Sequence, residues 1–175
     1  MYANLFGDFV RGTDLSRFPE NIQYGIRLHR AIDHYIDHHP AVIELLHQLY
    51  PKLPRISSIA VDLFFDHLLA REWHRFHETP LDDFLQDFYT APMEYQSAYT
   101  DEFHLVVSRM RERNWIHHYQ FLDGLDKVCN GVSRRISFKN NLHEGRSVFE
   151  EMETVISETF EIYMTDARNH FAEFT

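Results

Sequence analysis

The sequence is short of what most non-helical folds and many familiar catalytic loops require. A single cysteine, Cys129, excludes an internal disulfide, and the shortage of thiols argues against a structural zinc site. Six glycines and six prolines among 175 residues are too few for a loop-rich all-β protein. No apolar run approaches the roughly 18 residues of a membrane span and nothing resembles a secretory core segment, so no membrane role is expected and the cytoplasm is the expected compartment. Cations are in the minority, with 17 Lys and Arg against 27 Asp and Glu and a formal net charge of −10. That balance argues against general nucleic-acid binding, which needs a basic surface to meet phosphates. There is no glycine-rich phosphate loop, no G-x-S-x-G elbow and no H-E-x-x-H, and no motif around Cys129 marks it as a nucleophile.

What is present is apolar and aromatic. Hydrophobic residues make up 44% of the chain and aromatic residues 15%, which excludes disorder. The length fits one domain over 1–175 around a single core, and turn signals are spread evenly with no repeat or linker. The periodicity predicts helices at 2–11, 19–38, 41–50, 55–77, 80–89, 101–112, 114–121, 123–133 and 142–172, and no segment alternates like a strand. The expected fold is therefore all-α, a single-domain helical bundle. The stripe of Val148, Met152, Val155, Ile156, Phe160 and Tyr163 in the last helix reads as ordinary packing.

The stretch "GIRLHRAIDHYIDHHP", residues 25–40, breaks the pattern. At about 100° per residue, Ile22, Ile26, Asp33 and Ile36 all fall within roughly 60° of His29, so a histidine and an aspartate point where core is expected. A buried carboxylate without a partner costs several kcal/mol, which implies a cation or donors nearby. The stretch "RISSIAVDLFFDHLLAREW", residues 55–73, repeats the conflict: Asp62 and Asp66 share a face with Ile59, Leu69 and Trp73, while Val61, Phe64 and Leu68 cover the opposite side. One divalent cation resolves both conflicts. His29, Asp33, Asp66 and His67, the last from the edge of its face, form a mixed N/O donor set suited to Mn²⁺, Fe²⁺ or Zn²⁺ rather than Ca²⁺. Asp8 or Asp62 is then the carboxylate free to orient water or act as general base, while Arg11, Arg30, Arg134 and Arg135 are candidates to grip a phosphate. The other histidines, including His34, His38, His39, His117 and His118, read as surface residues, with His38 placed to line a site mouth as the alternative.

Taken together and in order, "GDFVRG", "GIRLHRAID" with a second "ID" before "HHP", "VDLFFDHLLAREW" and "NGVSRR" resemble the acyl carrier protein phosphodiesterase family over nearly the whole chain. The resemblance implies an HD-domain-like fold, divergent from the metal-dependent phosphohydrolases of that name. It implies hydrolysis of the phosphodiester that joins 4′-phosphopantetheine to a serine of holo-acyl carrier protein, giving the apo form, with a divalent metal that is typically manganese. Motif by motif, it implies functional roles for Asp8 and Arg11, for His29, Arg30, Asp33 and Asp37, for Asp62, Asp66 and His67, and for Arg134 and Arg135. The family pattern carries an extra segment resembling "NFLAH" ahead of this Met1; if that segment supplies a histidine or a core helix, the "MYANLF" start is expected to lack its packing partner.

Two other functions stay open at this point. One is a nucleotide or other small phosphate-ester hydrolase of the same metal-dependent type. The other is a non-enzymatic helical binding module in which the Asp and His residues form a salt-bridge network with Arg30 and Arg71. Docking of an acidic carrier protein on so acidic a chain requires a local basic patch, for which Arg11, Arg27, Arg30, Arg134 and Arg135 are the candidates.

Overall fold

A computed structural model describes residues 1–172. Helix α1 (Tyr2–Leu5) runs into a 3-10 turn at Phe6–Phe9, and the longer helices follow: α2 (Glu20–His38), α3 (Pro40–Leu49), α4 (Ser57–Arg71), α5 (Leu81–Thr90) and α6 (Asp101–Arg113). A short α7 (Trp115–His118), then α8 (Leu122–Ser133) and the long α9 (Gly145–His170) complete the chain. No strand occurs among the described residues, and the all-α expectation holds. No helix among them is long and apolar enough to cross a membrane.

Local chemistry sets most of the boundaries. Pro19 and Pro80 stand at the N-caps of α2 and α5, and Pro40 opens α3, where its missing N–H is no loss. Thr100 caps α6 by accepting from the Phe103 N–H, and Asn114, in the left-handed region at φ 43°, ends it. The helix expected over 55–77 stops at Arg71 and continues only as a 3-10 turn at Trp73–Arg75. Helix α9 is bent at Met152, where φ −112° and ψ 15° leave the helical region.

Instead of the single core expected, the helices pack around two. The N-terminal core joins Tyr2, Phe6, Ile22, Ile26, Leu85, Phe88, Phe103 and Met110. The C-terminal core joins Leu45, Leu49, Phe64, Leu68, Cys129, Phe149, Ile156 and Phe160. Helix α2 is about 28 Å long and serves both: Ile22 and Ile26 belong to the first core, while Tyr35 and Ile36 pack against the second. His29 and Asp33 lie between those two anchor points. The "MYANLF" start packs within the N-terminal core. The Tyr2 hydroxyl donates to the Phe88 carbonyl (2.7 Å), and the Phe6 ring meets Tyr99 and Phe103 with centroids 4.9 and 5.1 Å away. Gly25 permits this seat, because a Cβ there would lie 2.5 Å from that of Ala3.

Candidate metal centre and substrate cleft

Asp8 is presented by the 3-10 turn and His29 and Asp33 by successive turns of α2. His29 Nε2 is 3.1 Å from Asp8 Oδ1 and 3.2 Å from Asp33 Oδ2. Gly7 makes the approach possible, since a Cβ there would fall 2.2 Å from the His29 ring. Arg30 donates to the Val10 carbonyl (2.9 Å) and ties the chain beyond Asp8 to the same helix. One donor atom from each of Asp8, His29 and Asp33 lies within 4.8 Å of the others. An imidazole nitrogen with two carboxylate oxygens at that spacing fits a divalent cation of the Mn²⁺, Fe²⁺ or Zn²⁺ type.

The expectation that His29 and Asp33 point into solid core is corrected. The His29 side chain is 16% exposed, but Asp33 is 57% and Asp8 70% exposed. The two carboxylates around His29 reach solvent instead, and of the three side chains Asp8 also borders a cleft. A cleft of about 800 Å³ runs between the two cores, from Asp8 and Phe9 past Asp66 and Trp73 to Arg109, Trp115, Tyr119 and Arg135.

The electrostatics follow from this placement. The hydrogen bond with His29 holds the Asp8 carboxyl below its usual range, and the same bond, with the Asp33 charge behind it, raises His29. Asp33 is raised by partial desolvation, with Asp8 and Asp37 adding repulsion. Desolvation and the charges of Asp37, Asp33 and Asp8 push Asp62 up to about 6. Asp66 is pushed up to about 7 by desolvation and by Asp62. Both residues are exposed in area, Asp66 at the wall of the cleft, yet the protein around their carboxylates leaves them poorly hydrated.

The four-residue ligand set read from the sequence does not assemble. Asp66 lines the cleft but lies outside the compact Asp8, His29 and Asp33 group. His67 is turned the other way. It is 1% exposed, its Nδ1–H donates to the Tyr119 carbonyl (2.6 Å), and its ring stands edge-on to Phe149 at 4.9 Å. The step of about 100° from Asp66 carries it past the edge of the cleft and into the C-terminal core. His39, expected at the surface, is 6% exposed at the α2–α3 junction, with Nε2 3.2 Å from Asp166 Oδ2.

The arginines also sort differently. Arg135 lines the cleft; Arg134 is exposed at the end of α8 and does not line it, and Arg11 is exposed beyond the 3-10 turn. Arg27 is engaged with Gln23. Arg30 and Arg71 do not form the network that a binding module would need: Arg30 holds a carbonyl, and Arg71 pairs with Glu153 and Glu72. Sequence reasoning missed Arg109, Arg113, Trp115 and Tyr119. The four-residue spacing of the two arginines on α6 was a usable signal, whereas nothing marked Tyr119. Cys129 is buried, and desolvation pushes its thiol up to about 12, so it is no nucleophile.

The profile of the acyl carrier protein phosphodiesterase family matches residues 1–167. The chain belongs to the acyl carrier protein phosphodiesterase family. A protein of that name from Photorhabdus laumondii is 31% identical over 137 residues, covering 77% of this chain and 69% of the relative. Relatives of the same name from Enterobacter sp. (strain 638) and Klebsiella pneumoniae are each 29% identical over 134 residues, covering 76% of this chain and 69% of theirs. No solved structure matches the chain. Within this family's chain, the "GDF" and "LHRAID" segments are the ones whose side chains meet in the Asp8, His29 and Asp33 group.

Proposed function

We propose that this chain is a metal-dependent phosphodiesterase that removes 4′-phosphopantetheine from holo-acyl carrier protein, leaving the apo form. The observation that carries the reading is the meeting of Asp8, His29 and Asp33 at the edge of a cleft large enough for an extended prosthetic group. The family membership and the names of the relatives supply the substrate. Asp8, His29 and Asp33 would hold the metal, with Mn²⁺ as the best match to this donor set and Fe²⁺ or Zn²⁺ as alternatives. A divalent ion bound there offsets charge on the phosphoryl oxygens and makes water a better nucleophile near neutral pH.

The remaining residues supply the proton transfers and the binding. Asp62, ionised above about pH 6, accepts a proton from the attacking water as the new oxygen–phosphorus bond forms. Asp66, protonated below about pH 7, returns a proton to the serine oxygen as the phosphorus–oxygen ester bond breaks. Arg109, Arg113 and Arg135 line the cleft, and none of their guanidinium groups pairs with a carboxylate among the described residues. They are available to the phosphate and to an acidic carrier surface, and they replace Arg11, Arg27, Arg30 and Arg134 as the centre of the docking patch.

The test is incubation of the purified chain with holo-acyl carrier protein and Mn²⁺, followed by intact-mass measurement of the carrier. Loss of the phosphopantetheine mass, blocked by a chelator, is the expected result. Cleavage of a generic phosphodiester with no loss from the carrier would point instead to a hydrolase of small phosphate esters.

A further inference from the structure

Two cavities share one wall. Beside the main cleft lies a second hollow of about 410 Å³, lined by Leu63, Val128 and Lys127 among others. Arg113, Trp115, Tyr119 and Arg135 border both. Tyr119 is the central piece of this wall. Its side chain is half-buried, and its hydroxyl has no hydrogen-bond partner among the described residues, although the Asp66 carboxyl and the Arg135 guanidinium are close enough to act on it electrostatically. A phenol left free at the wall of a cleft that Asp66 and Arg135 also line is equipped to donate to an oxygen of whatever enters.

The turn that carries Tyr119 is clamped from two sides. On the outer side α8 presses on it so closely that a Cβ at Gly124 would come 1.8 Å from the His118 carbonyl oxygen. On the inner side the His67 Nδ1–H holds the Tyr119 carbonyl at 2.6 Å. His67 Nε2 is buried with no hydrogen-bond partner among the described residues, and the ring stands edge-on to Phe149. The charges that His67 feels are those of Arg71 and Glu153, and it does not belong to the compact Asp8, His29 and Asp33 group. A leucine would fill this volume without an orphan nitrogen, so the hydrogen bond to Tyr119 is what the imidazole adds.

We infer that Tyr119 contacts the substrate in the cleft and that His67 is a positioning residue acting through Tyr119, rather than a ligand of the metal. The inference rests on the phosphodiesterase reading for its substrate. Tyr119 donates its O–H to a phosphoryl or ester oxygen alongside Arg135, and His67 fixes the backbone from which that hydroxyl reaches.

The experiment compares His67→Asn, which keeps an N–H near the Nδ1 position, with His67→Leu, Tyr119→Phe and the double variant His67→Leu/Tyr119→Phe. Mn²⁺ binding is titrated in each, and kcat and KM are measured on holo-acyl carrier protein. Mn²⁺ affinity should stay at the wild-type level in all four, because none of them touches the ligand group. Tyr119→Phe should lower turnover roughly 10²- to 10³-fold, the usual loss for one donor to a reacting oxyanion. His67→Leu should lose roughly 10²-fold through misplacement of the hydroxyl, with His67→Asn restoring most of it. The double variant should be no slower than Tyr119→Phe alone, since the two residues act as one unit. A drop in Mn²⁺ affinity of about tenfold or more in His67→Asn would make His67 a ligand and overturn the inference. So would wild-type turnover in Tyr119→Phe, or additive losses in the double variant. If the wild type is inert on the carrier, the phosphodiesterase reading fails by itself, and the Mn²⁺ titration of His67→Asn still decides the ligand question.

Discussion

His29 and His67 stand on stripes that read alike in the sequence, yet one joins a group that Asp8 sets at the edge of a cleft and the other is sealed into packing. Helix α2 brings His29 between two carboxylates that raise its proton affinity. Helix α4 turns His67 against Phe149, where desolvation lowers its proton affinity and a backbone carbonyl takes its only hydrogen bond among the described residues. The difference teaches that a polar residue facing inward has two physical outcomes. Beside a hollow it keeps partners and solvent and can do chemistry; in solid packing it becomes a structural hydrogen bond with one nitrogen left over.

Breaking the cleft side should abolish activity and spare the fold. Asp33→Ala removes a carboxylate that is more than half exposed and repelled by Asp8 and Asp37, so hydrolysis should fall by roughly 10²–10⁴-fold while the melting temperature of the metal-free protein holds or rises. Loss of stability in step with activity would move Asp33 to the structural side of the comparison. Breaking the packed side should do the reverse. Phe149 is fully buried between Phe64 and His67, and Phe149→Ala should cost about 3–5 kcal/mol, lowering the melting temperature by roughly 6–20 °C. Mn²⁺ affinity measured well below the new melting point should not change.

Gly7→Ala probes the seam between the two behaviours. The added methyl would meet the His29 ring at 2.2 Å and must push either the 3-10 turn or the imidazole aside. A fall in Mn²⁺ affinity of roughly 10- to 100-fold is expected, as for other changes that reorient a metal-binding histidine; titration calorimetry at the wild-type affinity would disprove the tight seat.

The smallest effect is electrostatic. The folded state holds the Asp66 proton up to about pH 7, against about 3.9 for an ordinary aspartate, so it binds that proton more tightly than the unfolded chain does. The stabilisation this gives is complete below about pH 4 and is lost as pH rises through 7. Asp66→Asn should therefore raise the melting temperature of the metal-free protein at pH 8 and leave it unchanged at pH 4, by little because solvent in the cleft screens the charge. An equal shift at both pH values would show that the carboxylate is not desolvated.

The helices were legible because their signals are local. Pro19, Pro40 and Pro80 mark starts, Thr100 caps, and apolar spacing of three and four marks the faces. Within the site, His29 and Asp33 were legible for the same reason, being one turn apart on one helix. Asp8 was legible as a candidate carboxylate but not as a partner of His29, since nothing in its own neighbourhood reveals that Gly7 lets it reach α2. His67 was misread because adjacency to Asp66 in the chain means a rotation of about 100° in a helix. Tyr119 lies 52 residues beyond its partner His67 and carries no pattern of its own.

By itself the sequence determined an all-helical chain with acids and histidines placed on apolar stripes, because helix periodicity and capping depend on residues within a turn or two of each other. Only the tertiary structure decided that α2 bridges two cores instead of burying one face in a single core. A cleft opens between Asp8 and the Asp66 face of α4. The physical reason is that periodicity reports which side of a helix faces the rest of the protein, whereas the presence of packed side chains or a hollow on that side depends on helices far away in the chain. Here Asp8, His29 and Asp33 keep an open edge, while Phe149 of α9 and the turn at Tyr119 close off His67.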